Sequence, residues 1–311
     1  MAETIKADLC IIGAGSGGLS VAAGAAQLGR KVVLIERHKM GGDCLNYGCV
    51  PSKALIAAAA AAHQARIASR LGVGVEAVSV DFTQVMAHVR AAIAAIAPND
   101  SQDRFEGLGV EVIREAASFI DAKTVASASV QVAARKIVIA TGSHAVVPPI
   151  PGLAELAYLS NETVFDLKAL PEKLIVLGGG PIGLEMGQAF SRLGAKVTLI
   201  QRAGRLLTVA DEACSEVMTE VFAAEGIGVR LNAQVERVAR VGDEVQVLQQ
   251  RLVGEKHLKL RLRHAGTERE GIWFGRSEPL PARARLAWRL ETDEWNGQRR
   301  VQMVVEAAAD P

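Results

Sequence analysis

Two stretches of this chain share one design, and that repeat constrains the fold more than any other feature. The first stretch reads DLCIIGAGSGGLSVAAGAAQLGRKVVLIER over residues 8–37, and the second reads KLIVLGGGPIGLEMGQAFSRLGAKVTLIQR over residues 173–202. Each contains a short apolar run, a Gly-x-Gly-x-x-Gly turn, an amphipathic stretch ending in Leu-Gly, and a β-branched run. This order predicts a strand, a phosphate-binding loop, a helix and a second strand in both copies.

Each glycine of the motif has a specific structural role in binding a dinucleotide. The first glycine makes a tight turn, the second lets the backbone approach a pyrophosphate, and the third packs the helix against the strand. The N-terminus of the helix adds the positive end of its dipole. One such motif is a weak signal, whereas two copies in equal register favour two dinucleotide-binding lobes. The motif glycines are Gly13, Gly15 and Gly18 in the first copy, and Gly178, Gly180 and Gly183 in the second.

The residue that follows the second strand differs between the copies. Glu36 and Gln201 each lie 23 positions after the first glycine of their motif. Glu36 can hold a ribose diol. Gln201 lacks the carboxylate that would repel a 2′-phosphate, and Arg202 and Arg205 follow it. These residues weakly favour NADPH over NADH, although solvated surface charges would explain the two arginines nearly as well.

A close pair of cysteines lies in the segment GGDCLNYGCVPSK at residues 41–53. A disulfide between Cys44 and Cys49 would close a very small loop and would add little stability. Pro51 suits the first turn of a helix, so Cys49 is expected just before a helix N-terminus, with Lys53 about one turn further on. Both features stabilise a thiolate. The pair therefore predicts redox chemistry, with two ordinary thiols or half a metal site as the alternatives.

The remaining composition narrows the class of protein. No second close cysteine pair could complete a zinc set, so no metal site is predicted, and Cys10 and Cys214 are expected to be small buried hydrophobic residues. Lys and Arg number 35 against 34 Asp and Glu, which gives no general attraction to nucleic acid or membrane. The start of the chain lacks the regions of a signal peptide, and its apolar runs are too short to span a bilayer. We expect a cytoplasmic protein.

Residues 1–245 resemble the flavoprotein disulfide reductases, the family of dihydrolipoamide dehydrogenase, glutathione reductase and mercuric reductase. Four motifs carry the resemblance: GGDCLNYGCVPSK, GAGSGG together with Glu36, ATGS at 140–143, and GGGPIGLE at 178–185. The resemblance implies an FAD-binding lobe with a redox disulfide at residues 1–150, and a partial NAD(P)-binding lobe at residues 151–245.

The resemblance also implies roles for individual residues. NAD(P)H would reduce FAD, and FAD would reduce a Cys44–Cys49 disulfide, with Cys49 facing the flavin and Cys44 exchanging with a disulfide substrate. Lys53 would lie near the flavin, paired with Glu185, which without the motif would be read as an ordinary polar helix residue. The implied flavin contacts are Gly13, Gly15, Gly18, Glu36, Gly42, Lys53, Thr141 and Gly142. The implied nicotinamide-nucleotide contacts are Gly178, Gly180, Gly183, Gln201 and Arg202.

The sequence departs from the family pattern after residue 247. Family members continue with the rest of the nicotinamide domain, a Gly-Asp segment that completes the flavin site, and a dimerisation domain that supplies a His-Glu base. None of these is recognisable in this sequence. We therefore expect a truncated and slow or inactive enzyme, with an unknown small-molecule or protein disulfide as substrate. It would be a monomer or of unknown oligomeric state.

Residues 246–311 have a different character, with 12 basic and 9 acidic side chains in residues 248–311. Alternation in HLKLRLR and in later runs predicts about five strands, with a hairpin turn at Asn296-Gly297. Through GEKHLKLRLR and EWNG this tail resembles the OB-like carboxy-terminal domain of RecJ-type single-strand exonucleases. Basic strands and aromatic residues in such folds can hold single-stranded nucleic acid. Trp273, Trp288 and Trp295 could equally be core residues, and no nuclease activity is expected because the catalytic Asp-His-His region is missing.

The predicted fold is α/β, with two Rossmann-like lobes, the second incomplete, followed by a small all-β OB-like tail. The predicted function is that of a flavoprotein disulfide oxidoreductase in what looks like a fusion of parts from two enzymes. One alternative is a single-stranded nucleic-acid binding module. The other is a non-functional chimera that aggregates because its interrupted second sheet leaves strand edges and apolar surface uncovered.

Overall fold

The computed structural model describes residues 3–238, 244–253, 256–264, 266–295 and 298–309. Contacts divide the chain into two units. The first contains Met1–Val147 and Leu159–Gln234, and the second contains Pro148–Tyr158 and Val235–Pro311.

The first glycine-rich stretch lies in a sheet that has six strands among the described residues, in the order β3-β2-β1-β6-β5-β4. The strands are β1 (Glu3–Ile12), β2 (Val32–Ile35), β3 (Glu111–Ile113), β4 (Ser118–Asp121), β5 (Thr124–Ala126) and β6 (Val130–Ile139). Strand β1 runs parallel to both β2 and β6, and β2 runs parallel to β3. All four residues of β2 are buried, as expected for a parallel strand that is covered on both faces.

Five helices of the first unit belong to this lobe in the described part of the chain. They are α1 (Ser16–Gln27), α2 (Gly42–Asn46), α3 (Cys49–Ile67), α4 (Phe82–Ile96) and α5 (Gln102–Gly107). Asp81 caps α4, because its Oδ1 accepts hydrogen bonds from the backbone N–H groups of Thr83 and Gln84 at 2.9 and 3.2 Å. Such caps satisfy amide groups that have no partner within the helix.

The second glycine-rich stretch builds the same strand-loop-helix-strand unit. Its elements are β7 (Lys173–Leu177), α6 (Pro181–Leu193), β8 (Lys196–Ile200), α7 (Glu212–Ala224) and β9 (Gly228–Arg230). The first loop glycine donates its N–H to the last residue of the second strand in each copy: Gly13 to Ile35 at 2.8 Å, and Gly178 to Ile200 at 2.9 Å. The predicted repeat is therefore confirmed down to its backbone hydrogen bonds.

The second lobe has a smaller sheet than the first among the described residues. Its described strands form a parallel sheet of three, in the order β7-β8-β9. Helix α6 packs against α3 of the first lobe, and the rings of Phe82 and Phe190 lie 6.1 Å apart in the shared core. On β7, Ile175 remains 64% exposed and Leu177 40% exposed, which is unusual for a strand of a parallel sheet.

The second unit contains a closed five-stranded barrel, formed by described residues in the order β10-β11-β12-β14-β13. The strands are β10 (Glu244–Val253), β11 (His257–His264), β12 (Thr267–Phe274), β13 (Arg283–Trp295) and β14 (Gln298–Ala309). Strands β12 and β14 are parallel, and the other neighbours are antiparallel. This arrangement fits a five-stranded OB barrel, so the predicted fold class is confirmed.

The barrel core follows the predicted alternation. Leu258, Leu260 and Leu262 of β11 are buried, while the intervening charged residues face outward. Trp273 and Trp288 pack against this core and are partly buried, which favours the core interpretation for both. The predicted turn at Asn296-Gly297 and the side chain of Trp295 lie outside the part of the chain that the structure describes. Among the helices of that part, none combines the length and the apolarity that a membrane span requires.

Candidate functional site

The first glycine loop, the end of β6 and the start of α2 meet in close backbone contact. Gly13 has φ +105°, and a Cβ there would lie 2.2 Å from the carbonyl oxygen of Ala140. A Cβ on Gly18 would lie 1.9 Å from the Gly13 oxygen, and one on Gly42 would lie 2.5 Å from Cα of Gly15. No side chain fits at these positions, so three segments that are distant in sequence share one glycine-lined surface.

Glu36 provides a fixed carboxylate beside this surface. Its side chain is buried, and its Oε2 accepts a hydrogen bond from Ala14 N at 2.7 Å, while Oε1 accepts from His38 N at 2.6 Å. Each carboxylate oxygen has a further lone pair, so the side chain is held in place and can still accept hydrogen bonds from a ribose.

A cavity of about 540 Å³ opens over the loop. Six predicted flavin-contacting residues line it: Gly13, Gly15, Glu36, Gly42, Thr141 and Gly142. The cavity lies at the N-terminus of α1, which begins after Gly15. Bare backbone, a helix N-terminus and a carboxylate that can accept further hydrogen bonds fit the adenosine and pyrophosphate groups of FAD. Gly18 instead packs α1 against β1, as its place in the motif requires.

The two cysteines lie on adjoining helices, and both are free thiols in this structure. Cys44 lies in α2 and is half-buried, while Cys49 is exposed. Cys49 is the first residue of α3, whereas the sequence predicted that it would lie just before the helix. Burial raises the pKa of the Cys44 thiol, and the hydrogen bond and charge of Cys49 raise it further.

Lys53 lies one helical turn after Cys49 on α3 and faces the second lobe. Its Nζ lies 2.6 Å from both carboxylate oxygens of Glu185 on α6. A smaller cavity of about 260 Å³ adjoins this pair and is also lined by Ile56, Gln188 and Arg192. The structure thus places Lys53 and Glu185 where the two lobes meet.

The second glycine loop repeats the geometry of the first. Gly178 has φ +109°, and a Cβ on Gly183 would lie 2.3 Å from the Gly178 oxygen. Gly180 is the N-cap residue of α6, and a Cβ there would meet nothing within 4 Å. This loop is therefore open at the position where a pyrophosphate would approach.

The two arginines after β8 have different surroundings. The guanidinium of Arg205 donates hydrogen bonds to the carbonyl oxygens of Leu207, Thr208 and Ala210, at 3.2, 2.8 and 3.1 Å. Arg202 is exposed, and Gln201 Nε2 donates to the Arg205 carbonyl at 3.3 Å. Arg205 therefore shapes the loop, a role that its position in the sequence did not reveal.

The other two cysteines, Cys10 and Cys214, differ in burial. Cys10 is fully buried in β1, as predicted, and burial raises the pKa of its thiol to about 11. Cys214 is exposed on α7, so the prediction that it is buried was wrong. Helix α7 buries Ser215 and Phe222, which lie seven residues apart on one face, and the neighbouring position of Cys214 turns about 100° away from that face.

Two polar contacts near the first cavity could not be predicted from the sequence. Asn161 Nδ2 donates to Asp43 Oδ1 at 3.0 Å, and His144 Nδ1 lies 2.7 Å from Glu162 Oε1. The first contact joins residues 118 positions apart, which no local pattern could indicate. In the described residues, no group of three or more His, Cys, Asp and Glu side chains is arranged to hold a metal ion.

These features define an α/β protein with two dinucleotide-binding loops and a pair of thiols beside the first loop. Residues 7–260 match the family model described as pyridine nucleotide-disulphide oxidoreductase, and residues 234–307 match that of the RecJ OB domain. The chain therefore belongs to the pyridine nucleotide-disulphide oxidoreductases, a family of flavoproteins that use FAD and NAD(P)H. Both predicted resemblances are confirmed.

Individual relatives agree with this family. The chain is 37% identical over 236 residues to a mercuric reductase from Bacillus cereus, covering 76% of this chain and 37% of that protein. It is 33% identical over 247 residues to a dihydrolipoyl dehydrogenase from Geobacillus stearothermophilus, covering 78% and 52%. The HOCl-induced flavoprotein disulfide reductase RclA from Escherichia coli superposes with a TM-score of 0.65 at 25% identity, covering 85% and 54%. The chain thus spans about half or less of the length of these relatives.

Proposed function

We propose that this protein passes two electrons from NAD(P)H through FAD to a disulfide between Cys44 and Cys49. The observation that carries the proposal is the contact between Gly42 and Gly15, because it joins the first residue of α2 to the glycine loop. Cys44 follows two residues later on the same short helix. This contact supports placing the thiol pair beside the cavity that fits FAD.

The proposed reaction balances without further reactants. FAD, when bound, accepts a hydride and returns two electrons, so NAD(P)H, one proton and the disulfide become NAD(P)⁺ and two thiols. Cys49 is proposed to face the flavin, in line with the family resemblance; it is the first residue of α3 and its side chain is exposed. Cys44 is proposed to exchange with a small-molecule or protein disulfide. Lys53, paired with Glu185, adds a positive charge one turn from Cys49.

The proposal assigns each region a task. Residues 1–150 would hold FAD, residues 151–245 would hold the nicotinamide nucleotide, and residues 246–311 would form the OB-like tail. In the second lobe we assign the nucleotide contacts to the glycine loop, Gln201 and Arg202. The exposed guanidinium of Arg202 supports a preference for NADPH, whereas Arg205 is already bonded to its own loop.

We further propose that exchange with an external disulfide is slow in this chain. None of its six histidines lies in the His-Glu motif that serves as base in the family, and proton transfer by such a base commonly contributes 10²–10⁴-fold. Reduction of the internal cysteine pair does not require that base. The half-reaction from NAD(P)H to the cysteines is therefore the activity that this chain supports best.

The visible absorption spectrum tests this function. The purified protein, supplied with FAD and separated from the excess, should show a flavin spectrum that bleaches when NADPH is added without oxygen. The C44S variant should bind flavin equally well but take up two electrons fewer per flavin. A colourless protein that aggregates would overturn the proposal and favour the non-functional chimera, in keeping with the exposed Ile175 and Leu177.

A second candidate function, binding of single-stranded nucleic acid, rests on the barrel of the tail. One observation favours it: the guanidinium of Arg276 lies 4.4 Å from the ring centre of Trp273, and a guanidinium over an aromatic ring can offer its own outer face for stacking on a base. Three other cationic side chains of the barrel already have acidic partners. Lys259 contacts Glu270, while Arg261 and Arg263 contact Glu268.

This candidate has its own test, the binding of a labelled oligothymidylate at low and high salt. Arg276→Ala should weaken binding more than Arg285→Ala, which removes an equal charge from another exposed position of the barrel. Equal effects of the two variants would reduce the interaction to non-specific charge attraction. No binding at low salt would eliminate this function.

A further inference from the structure

The turn at residues 160–163 is closed by several hydrogen bonds. Ser160 N donates to Thr163 Oγ1 at 2.9 Å, and Glu162 N donates to Ser160 Oγ at 3.2 Å. Val164 N donates to the Ser160 carbonyl at 2.9 Å. Val164 and Phe165 follow the turn and are buried in the core shared by the two lobes. The turn therefore presents the side chain of Asn161 from a fixed backbone.

Helix α2 needs such an anchor. It has only five residues, and isolated helices of that length are unstable in water. Leu45 is buried, and Asn46 Nδ2 donates to the carbonyls of Met40 and Gly42 at 3.0 and 2.8 Å. These two bonds stay within the segment, whereas the bond from Asn161 to Asp43 ties the helix to the distant turn.

We infer that Asn161 is a positioning residue for the cysteine pair: its hydrogen bond to Asp43 holds α2, and with it Cys44, against the turn at residues 160–163. The bond reaches the residue next to Cys44, and its acceptor is a carboxylate, which makes it stronger than a bond between neutral groups. The inference rests on the proposed function only in giving Cys44 a redox role. Glu162, beside Asn161, pairs with His144 and serves as the matched control.

The experiment measures how fast Cys44 is alkylated in the full-length, reduced protein. A brief exposure to iodoacetamide is followed by mass spectrometry of the peptides, and labelling of Cys44 is divided by that of the exposed Cys214 in the same molecules. Asn161→Ala should raise this ratio about fivefold, the effect of one hydrogen bond of ordinary net strength. Asp43→Ala breaks the bond from its other side and should give the same rise.

Two further variants separate positioning from general loosening. In D43N/N161D the donor and acceptor are exchanged, so the ratio should return to within about twofold of the wild type. Glu162→Ala should also leave the ratio near the wild-type value. An unchanged ratio in Asn161→Ala, an equal rise in Glu162→Ala, or no recovery in the exchanged pair would each overturn the inference. The assay needs neither FAD nor NADPH, so its outcome is separate from that of the spectral test.

Discussion

Lys53 on α3 and Glu185 on α6 form an ion pair in which the lysine Nζ lies 2.6 Å from each carboxylate oxygen. The two residues are 132 positions apart in the sequence. The pair joins the cysteine-bearing helix of the first lobe to the helix that follows the second glycine loop. Both side chains are largely exposed, so their attraction adds at most about 1 kcal/mol to stability. The pair contributes mainly by holding the Lys53 ammonium at Glu185, where the two lobes meet.

Lys53→Met should therefore separate stability from electron transfer. We expect the melting temperature to stay near that of the wild type, while NADPH reduces bound flavin roughly tenfold more slowly, because the substitution removes the ammonium and leaves the Glu185 carboxylate without its partner. A tenfold slower rate corresponds to about 1.4 kcal/mol in the barrier. Stopped-flow absorbance measures the rate. Lys53→Arg, which keeps the charge, is the control. A rate in Lys53→Met equal to the wild type would show that the pair is only a surface contact.

The neighbouring glycines Gly17 and Gly18 should respond oppositely to alanine. A Cβ at position 18 would collide with the Gly13 oxygen, whereas one at position 17 meets nothing within 4 Å. Gly18→Ala should cost about 3 kcal/mol and abolish FAD binding, while Gly17→Ala should stabilise α1 by about 0.5 kcal/mol. Denaturant unfolding followed by helical circular dichroism measures both. Equal stability of the two variants would contradict the close packing of this loop.

The pair of Arg192 and Glu225 should make stability depend on pH. Burial raises the pKa of Glu225, but the hydrogen bond and charge of Arg192, with smaller contributions from His63 and Gln188, outweigh it and hold the pKa below its usual value. A lowered folded-state pKa stabilises the protein above the unfolded-state value of about 4.3, and this contribution disappears as the pH falls through the folded value.

Glu225→Gln should accordingly lower the free energy of unfolding by about 2 kcal/mol at neutral pH, because Arg192 would lose its charged partner in a half-buried site. The difference from the wild type should shrink below about pH 4. Unfolding curves at several pH values measure it. Glu216→Gln, on the exposed side of α7, should show no such dependence. A constant difference between Glu225→Gln and the wild type across this range would refute the assignment.

Arg202 and Arg205 should have separable effects on nucleotide use. Arg202→Ala is expected to raise the KM for NADPH about tenfold and leave that for NADH unchanged, because only NADPH carries the 2′-phosphate. Arg205→Ala removes donors from three loop carbonyls and should weaken both nucleotides alike. Flavin reduction at varied nucleotide concentration measures these constants. Loss of NADPH preference in Arg205→Ala alone would reverse the two assignments.

Local pattern was sufficient to predict the two glycine loops. Glycine spacing and the flanking apolar runs are local properties, so Gly13 and Gly178, as well as Glu36 and Gln201, occupy the equivalent positions that the repeat predicted. The alternation in HLKLRLR likewise placed the inward side of β11. The boundaries of helices were predicted less accurately than the loops: Cys49 begins α3, whereas the sequence placed it just before the helix.

Contacts between distant segments could not be predicted from such patterns. The pairing of Lys53 with Glu185 was expected only through the family resemblance, and nothing indicated the bond between Asn161 and Asp43. Arg205 looked like a free charge because its bonds go to backbone carbonyls, which every residue carries. Cys214 was misassigned because a small apolar residue next to a buried helix face reads in sequence like a member of that face.

The most direct test of the central claim is to follow the four cysteines while NADPH reduces the protein. The oxidised protein with bound FAD is treated with NADPH without oxygen, alkylated, and analysed by mass spectrometry. The account predicts that Cys44 and Cys49 become alkylated only when FAD and NADPH are both present, while labelling of Cys10 and Cys214 does not change. If Cys44 and Cys49 stay unlabelled although the flavin bleaches, electrons do not reach the pair and the proposed function is wrong.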